Sequence, residues 1–466
     1  MDRDAGSRSH YLLASRSRSP MRSLIPHPLV LLLSCVFAAA VLTHVVRAGE
    51  FERRDDPATG RRAVVAGSFH PVPQNPVGPF AVLIAVPQGM TEAASVIFLV
   101  FLVGGAFSVV ESTGAFNLGV TWLLRALGHR TNLIVPICCV TFAAAGAVEG
   151  MWEEVIPLVP VLLLLVQSAG YDPITAVAMS IGSAAVGIAF SPINPFSVGV
   201  AQKIAQLPLL SGLGLRVVVL IAGLVIWTWW TMRHAKRTRT TPEAASPAAT
   251  VSLDWRRVVI LLMVGATFVA YVVGALRYDW GFDELGALFF GMGVLAGLLA
   301  GLGIDGTARA FVEGFRSMAF AAALIGFARA IFVVLDKGKI VDTVINGMVT
   351  PLVDLPAVVF ALGMTLVQAA ISIAIPSTSG RAVLTMPILV PMSDLLGVSR
   401  QVTVLAYQFG AGVINHILPT DGTLMAVLAL ASVRFDRWFR FAAPACAMLL
   451  VLGLFAIAVA MLTGLH

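Results

Sequence analysis

Apolar stretches of about twenty residues, the length that crosses a bilayer as a helix, recur at 29–48, 93–112, 213–232, 256–276, 284–303, 316–335 and 441–463. Each reads as an ordinary membrane span. Two further apolar regions, 131–206 and 355–432, differ because Gly, Pro, Ser and Asn interrupt them repeatedly. Irregular backbone at membrane depth strands N–H and C=O groups, at several kcal/mol each against lipid, so these regions must face protein or a cavity.

The interruptions recur in order. Gly146-Ala147-Val148-Glu149-Gly150 breaks a hairpin, Ile156-Pro157-Leu158-Val159-Pro160 follows, and Gly170-Tyr171-Asp172-Pro173 makes a turn. Later, Ile375-Pro376-Ser377-Thr378-Ser379-Gly380 makes the break and Met386-Pro387-Ile388-Leu389-Val390-Pro391 repeats the proline pair. Phe190-Ser191-Pro192-Ile193-Asn194-Pro195 and Asn415-His416-Ile417-Leu418-Pro419-Thr420 then interrupt corresponding helices, and Gly89-Met90 corresponds to Gly314-Phe315 upstream. This pattern predicts an all-α polytopic membrane protein of two inverted-topology repeats, with re-entrant hairpins and discontinuous transmembrane helices. An extra span at 284–303 accounts for the inversion.

Composition agrees. Of 466 residues, 58% are hydrophobic and 12% charged, with a mean hydropathy of +0.90. About 25% charged residues are usual for a soluble chain, so the bilayer is the solvent here. The net charge of +6 reports orientation rather than a nucleic-acid partner. Arg233, Lys236, Arg237, Arg239, Arg256, Arg257, Arg434, Arg437 and Arg440 belong on the cytoplasmic side, as does the arginine-rich tail. The expected division is therefore a cytoplasmic, disordered basic tail over 1–28 and a first repeat over 29–232, with 49–90 external. A cytoplasmic linker over 233–255 and a second repeat over 256–466 complete it. The protein is placed in a bacterial inner membrane with its N-terminus cytoplasmic. Arg16, Arg18 and Arg22 before Leu29–Val46 could mark a signal peptide, but the apolar run is long and Arg47 spoils the cleavage-site pattern. Translation from Met1 or Met21 leaves this reading unchanged. Cys35, Cys138, Cys139 and Cys446 lie in apolar runs and form neither a disulfide framework nor a metal motif.

Candidate chemistry gathers at the interruptions. Ser377, Thr378, Ser379 and Gly380 offer hydroxyls and half-helix ends for an anion or Na⁺. Arg381 is costly in a membrane unless a carboxylate, lipid phosphate or anionic substrate pairs with it. Asn194 and Asn415, with Thr420, offer donors and acceptors, or cap half-helices. Glu149, Glu153 and Glu154, with Ser191 and Asp421, are the candidates for ion or proton coupling. His416 is pH-sensitive or a satisfied interior histidine.

Several segments together carry a family resemblance: Gly104-Gly105-Ala106-Phe107, Thr113-Gly114-Ala115, Gly150-Met151-Trp152-Glu153-Glu154, Gly170-Tyr171-Asp172, Asn194-Pro195-Phe196 with Gly199, Ala201 and Gln202, and Pro376-Ser377 through Thr385-Met386-Pro387. After Met21 the chain resembles the YfcC family of the ion transporter superfamily. This includes proteins named as basic amino-acid antiporters and relatives of C4-dicarboxylate carriers. The resemblance implies hairpins and broken helices round a central site, with coupling to an ion gradient. Gly410-Ala411-Gly412 stands where many members carry Gly-Asp-Gly, which removes a carboxylate. Arg381 replaces the usual glutamine, which favours a carboxylate-bearing substrate.

The expected function is secondary transport of an amino acid or small carboxylate by alternating access, with Na⁺ or H⁺ as coupling ion and no cofactor. A basic amino-acid antiporter is the narrower alternative. A membrane-embedded hydrolase using Ser379 with His416 as base is another, although GxSxG and HExxH are absent, and a passive channel stays open. No Walker A motif is present. The spans at 213–232 and 256–276 could pair two copies as a homodimer.

Overall fold

The computed structural model describes residues 27–56, 61–240, 254–278, 280–352, 354–375 and 377–465. The basic tail through residue 26, linker residues 241–253 and Pro376 lie outside these. Helices dominate, and ten of them among the described residues are long and apolar enough to cross a membrane. This is an all-α, multi-pass membrane protein.

In the first half, α1 (Pro28–Val45) is followed by a kinked pair, α2 (Pro79–Glu92) and α3 (Ala94–Ser112), and then α4 (Ala115–Leu127). The hairpin α5 (Ile134–Val148) turns at 149–152 and returns through a 3₁₀ segment, Glu153–Leu158, into α6 (Val159–Ser168). A 3₁₀ segment, Gly128–Leu133, runs directly into α5, and Arg130–Val148 together make one of the ten candidate spans. Next come α7 (Pro173–Val177), a π-helix over Ala178–Gly182, and α8 (Ser183–Phe190). After a break, a π-helix at Pro195–Gly199 leads into α9 (Val200–Ile204), and α10 (Leu213–Thr238) closes the half.

The second half adds α11 (Trp255–Tyr278), α12 (Phe282–Leu299), the 35-residue α13 (Gly303–Lys337) and α14 (Val341–Val349). Its hairpin is α15 (Ala357–Ala374) with α16 (Thr378–Leu395). Helix α17 (Arg400–Ile414) then breaks over 415–421 before α18 (Gly422–Leu430), and α19 (Phe435–Leu462) ends the fold. Hairpin, broken helix and long closing helix thus occur in the same order twice. The expected span at 316–335 is part of the longer α13. Helix α2 begins at Pro79, within the segment 49–90 expected to be external, and α10 runs on to Thr238, into the expected linker 233–255.

Between α1 and α2 the chain forms two small antiparallel sheets, β1 (Gly49–Glu50) with β4 (His70–Pro71) and β2 (Arg53–Asp56) with β3 (Arg61–Val64). Buried Asp342 on α14 anchors them. Its carboxylate accepts the Phe51 amide at 2.9 Å and Arg53 Nη2 at 2.9 Å to each oxygen. Gly49 donates its amide to the Lys339 carbonyl at 3.0 Å, and Asn75 Nδ2 donates to Lys337 at 2.8 Å. This segment therefore rests on the C-terminal end of α13. At the other end of the bundle, His234 on α10 pairs with Asp172 at 2.9 Å, and Thr240 donates its amide to Gly170.

Small residues set the helix spacing. A Cβ at Gly187 on α8 would overlap the Ala143 carbonyl of α5, and one at Gly410 on α17 would overlap the Thr365 carbonyl of α15. The two broken helices cross each other where Gly412 meets Ala189. With side chains removed, backbones pack directly, the usual means of tight helix association in lipid. Gly187→Ala and Gly410→Ala should each cost about 1–3 kcal/mol by forcing these backbones apart. Gly265→Ala, where nothing lies within 4 Å, should be neutral or gain about 0.4–1 kcal/mol. Thermal unfolding in detergent reads the difference, and equal behaviour of the three would contradict this packing.

Candidate functional site

Each broken helix ends in backbone amides that side chains satisfy. In the first break, Ser191 Oγ donates to the Ala147 carbonyl at 2.5 Å and accepts the amides of Ile193 and Asn194 at 3.0 and 2.8 Å. Asn194 Oδ1 accepts the amides of Phe196 and Ser197 at 2.9 Å, while its Nδ2 donates to the Gly146 carbonyl at 3.0 Å. Both residues are thus spent on capping the half-helix and tying it to the first hairpin, and the Asn194 side chain has both its groups committed. Gly150, at φ +84°, leaves room for that side chain, since its Cβ would lie 2.8 Å from Asn194 Nδ2.

In the second break the capping position belongs to Asp421, whose Oδ1 accepts the Leu424 amide at 2.8 Å. Its Oδ2 accepts Trp152 Nε1 from the first hairpin tip at 3.3 Å. By role, Asn194 therefore corresponds to Asp421, whereas Asn415 begins a 3₁₀ turn with Oδ1 unpartnered. The second tip is capped too, by Ser377 Oγ accepting the Gly380 amide at 3.2 Å. Thr378, Ser379 and Gly380 form the first turn of α16 rather than an irregular tip, and the Thr378 carbonyl accepts Tyr407 Oη at 2.6 Å.

The tips and breaks meet across the halves. The 3₁₀ segment Glu153–Leu158 packs on α18, while α16 packs on α9 and the π-helix at Pro195–Gly199. Glu153, Glu154 and Asp421 approach closely enough for their charges to interact. Glu149 caps α5 and leaves a buried Oε1 without a partner. Thr420 likewise buries an unpartnered hydroxyl.

Among the described residues two arginines are fully buried, and their surroundings differ. Arg216 at the start of α10 donates from Nε to Gln408 at 3.1 Å and from Nη1 to the Ser211 carbonyl at 2.5 Å. Gln408 in turn donates to the Ser191 carbonyl at 2.6 Å, so this arginine braces the first break. Arg381 has no partner at Nε, Nη1 or Nη2, although its exposure is 0%. Asp421 and Tyr407 lie within electrostatic reach. The backbone beneath it is rigid, because Gln368 Nε2 donates to Thr385 Oγ1, which donates to the Arg381 carbonyl, both at 2.8 Å. Gln368, Tyr407, Gln408 and Arg216 escape the sequence reading, and the signal available for them was a polar residue inside an otherwise apolar helix.

Ser379 and His416 do not form a hydrolase pair. Both ring nitrogens of His416 face backbone carbonyls, Val413 at 2.9 Å and Gly182 at 2.8 Å, which leaves neither to serve a hydroxyl.

The family model for the C4-dicarboxylate anaerobic carrier, DcuC, matches residues 25–462. The chain belongs to this family. Over 97% of its length it is 31% identical to 99% of an Escherichia coli protein named "Putative basic amino acid antiporter YfcC". An uncharacterized Haemophilus influenzae protein is 29% identical over 84% of this chain and 80% of its own. Among solved structures, the Alcanivorax borkumensis YdaH transporter aligns with 94% of this chain and 99% of its own, at 18% identity and a TM-score of 0.44. By its family model this chain is a member of a transporter family, and its Escherichia coli relative is named as an antiporter.

The Trp152–Asp421 bond is the direct polar link between the first hairpin tip and the second break, so the two side chains should be coupled. Trp152→Phe and Asp421→Asn, which keeps an oxygen for the Leu424 amide, should give a double-mutant coupling of about 1 kcal/mol in unfolding free energy. Strict additivity would mean that the two do not meet.

Proposed function

We propose that this protein is a secondary active transporter for an amino acid or small carboxylate, whose substrate binds through a carboxylate at Arg381. The observation behind this is the unpartnered, fully buried guanidinium. Burying an arginine costs several kcal/mol unless its donors are paired, and Arg216, the comparison in this fold, has Nε and Nη1 paired and Nη2 alone without a partner. A planar carboxylate supplies the bidentate partner that a guanidinium fits. Asp421, within electrostatic reach of Arg381, and Glu153 and Glu154, which interact with each other and with Asp421 across the halves, suit the ammonium end of an amino acid or a coupling cation, Na⁺ or H⁺. The second reading, a basic amino-acid antiporter, draws on the same acidic groups and on the name of the Escherichia coli relative. A C4-dicarboxylate would need its second carboxylate neutralised beside them.

Transport in this reading is alternating access between two inverted repeats, 29–232 and 256–466. The close antiparallel crossing of α3 with α13, where Gly104 and Gly105 meet Gly314, supports the inversion. In packing, α1 lies on α13 as α12 lies on α3, which supports reading α11, and not the 284–303 span, as the extra helix. The basic end of α10 favours a cytoplasmic N-terminus in a bacterial inner membrane, and the lipid-facing sides of α10 and α11 offer a surface for pairing two copies.

Thermal-shift measurements on purified protein test the site, using arginine, lysine, neutral amino acids, C4-dicarboxylates and short-chain acids with and without Na⁺. A ligand at 100 times its Kd should stabilise the fold by about 2.7 kcal/mol. That gain should vanish in Arg381→Gln, whose own stability should be unchanged or higher once the unpaired charge is gone. Stabilisation by a ligand that survives Arg381→Gln would move the site elsewhere.

A further inference from the structure

We infer that His416 is a proton-binding site, held as an imidazolium between the two halves of the protein, and that its proton is the coupling ion for transport. The geometry is specific. Nδ1 lies 2.9 Å from the Val413 carbonyl oxygen and Nε2 lies 2.8 Å from the Gly182 carbonyl oxygen. A carbonyl only accepts, and a neutral imidazole has one N–H and one bare nitrogen. Two such contacts at hydrogen-bond distance are satisfied together only when both nitrogens carry hydrogen.

The surroundings are those of a cation site. His416 follows α17 directly, at the negative end of that half-helix, where a cation is favoured. The Trp227 ring lies 4.6 Å from the imidazole, and Trp438 and Phe441 complete an aromatic wall behind it. Aromatic faces attract a cation, the more so when it is desolvated. Trp438 Nε1 donates to the His416 carbonyl at 2.7 Å and fixes the turn. Burial opposes the charge, and these groups oppose burial.

No carboxylate pairs with the ring among the described residues. Of the elements packed round it, α10 brings Trp227 and, two turns on, His234, which pairs with Asp172. Helix α19 brings Asp436, which is engaged with Arg434 and Arg440, and further along Cys446. Helix α5 brings the Cys139 thiol, near Ser183 and Thr228. None supplies a competing charge to the imidazole. Gly182 ends the π-helix of the first half, while Val413 lies in the last turn of α17, in the same half as His416, so loss of the Nε2 proton removes the contact that crosses between the halves. The proton enters from water on one side and leaves to water on the other, with no change to the bonds of the substrate.

This inference rests on the carrier reading, but its first test does not. Magic-angle-spinning NMR of wild-type protein in liposomes, labelled with ¹⁵N-histidine and ¹³C-carbonyl glycine, identifies the ring by its proximity to a glycine carbonyl. Two protonated ring nitrogens at pH 7 are expected there, above the ordinary imidazole titration near ~6.5. One protonated and one bare nitrogen would overturn the proposal. The second test is transport in proteoliposomes for a substrate found by thermal shift. His416→Gln, which offers the carbonyls one amide group, should retain Arg381-dependent binding and exchange while accumulation driven by a pH gradient is lost. Undiminished gradient-driven accumulation would refute the coupling role. A protonated ring without transport of any substrate would instead refute the carrier reading and leave the proton site standing.

Discussion

A broken helix inside a bilayer has to satisfy its own severed backbone, because no water is available to do so. In this protein that requirement is met by a few short polar side chains placed within each break, up to the residue that caps the next half-helix. Ser191 and Asn194 collect four amides and return two bonds to the end of α5. Ser377 and Asp421 cap the half-helices of the other half. The consequence is mechanical as well as energetic. Since the caps of the first break also grip the first hairpin, those two elements shift together or exchange hydrogen bonds in order to separate.

With the backbone accounted for, the polar side chains that stay unsatisfied stand out. Among the described residues, Arg216 and Arg381 are the two fully buried guanidinium groups. Their contrast, more than the presence of either alone, is what supports the site proposed at Arg381. One braces Ser211 and Gln408; the other, beside Asp421, is held on a rigid backbone with its donors free. Rigid support under a free charged group is the arrangement that pre-organises a binding site, because the cost of placing the group is met in folding and not at binding.

Much of this was legible in the sequence, for a definite reason. Hydropathy reports helices that lie in lipid, and interrupting Gly, Pro and Asn report helices that do not continue, so spans, hairpins and breaks could be read from local pattern. The identity of Asp421 as the partner of Asn194 was not legible. Similar residues, Asn194 and Asn415, sit at similar places in the pattern, yet the second break is longer, running from 415 to 421, and its cap falls at the far end. Ser379 and Thr378 read as an irregular tip because Pro376 precedes them, but Ser377 caps early and helix α16 begins at once. Gln368, Tyr407 and Arg216 could not be assigned from pattern at all. Their roles depend on partners 17, 29 and 192 positions away in the chain, and one-dimensional periodicity carries no information about such pairs.

The glycine crossings bear on how such a site could open. Where α8 and α17 cross, Gly412 against Ala189 leaves backbone on backbone with little side chain to interlock. This contact lies immediately before both breaks, which begin at residues 191 and 415. A rotation about a point with few interdigitating side chains meets less steric resistance than one through a packed core. It would carry each hairpin tip past the half-helix of the opposite half, where Glu153–Leu158 meets α18 and α16 meets α9. The bonds that would have to give way are those between halves, Trp152 to Asp421 among them, while the caps within each half could stay intact.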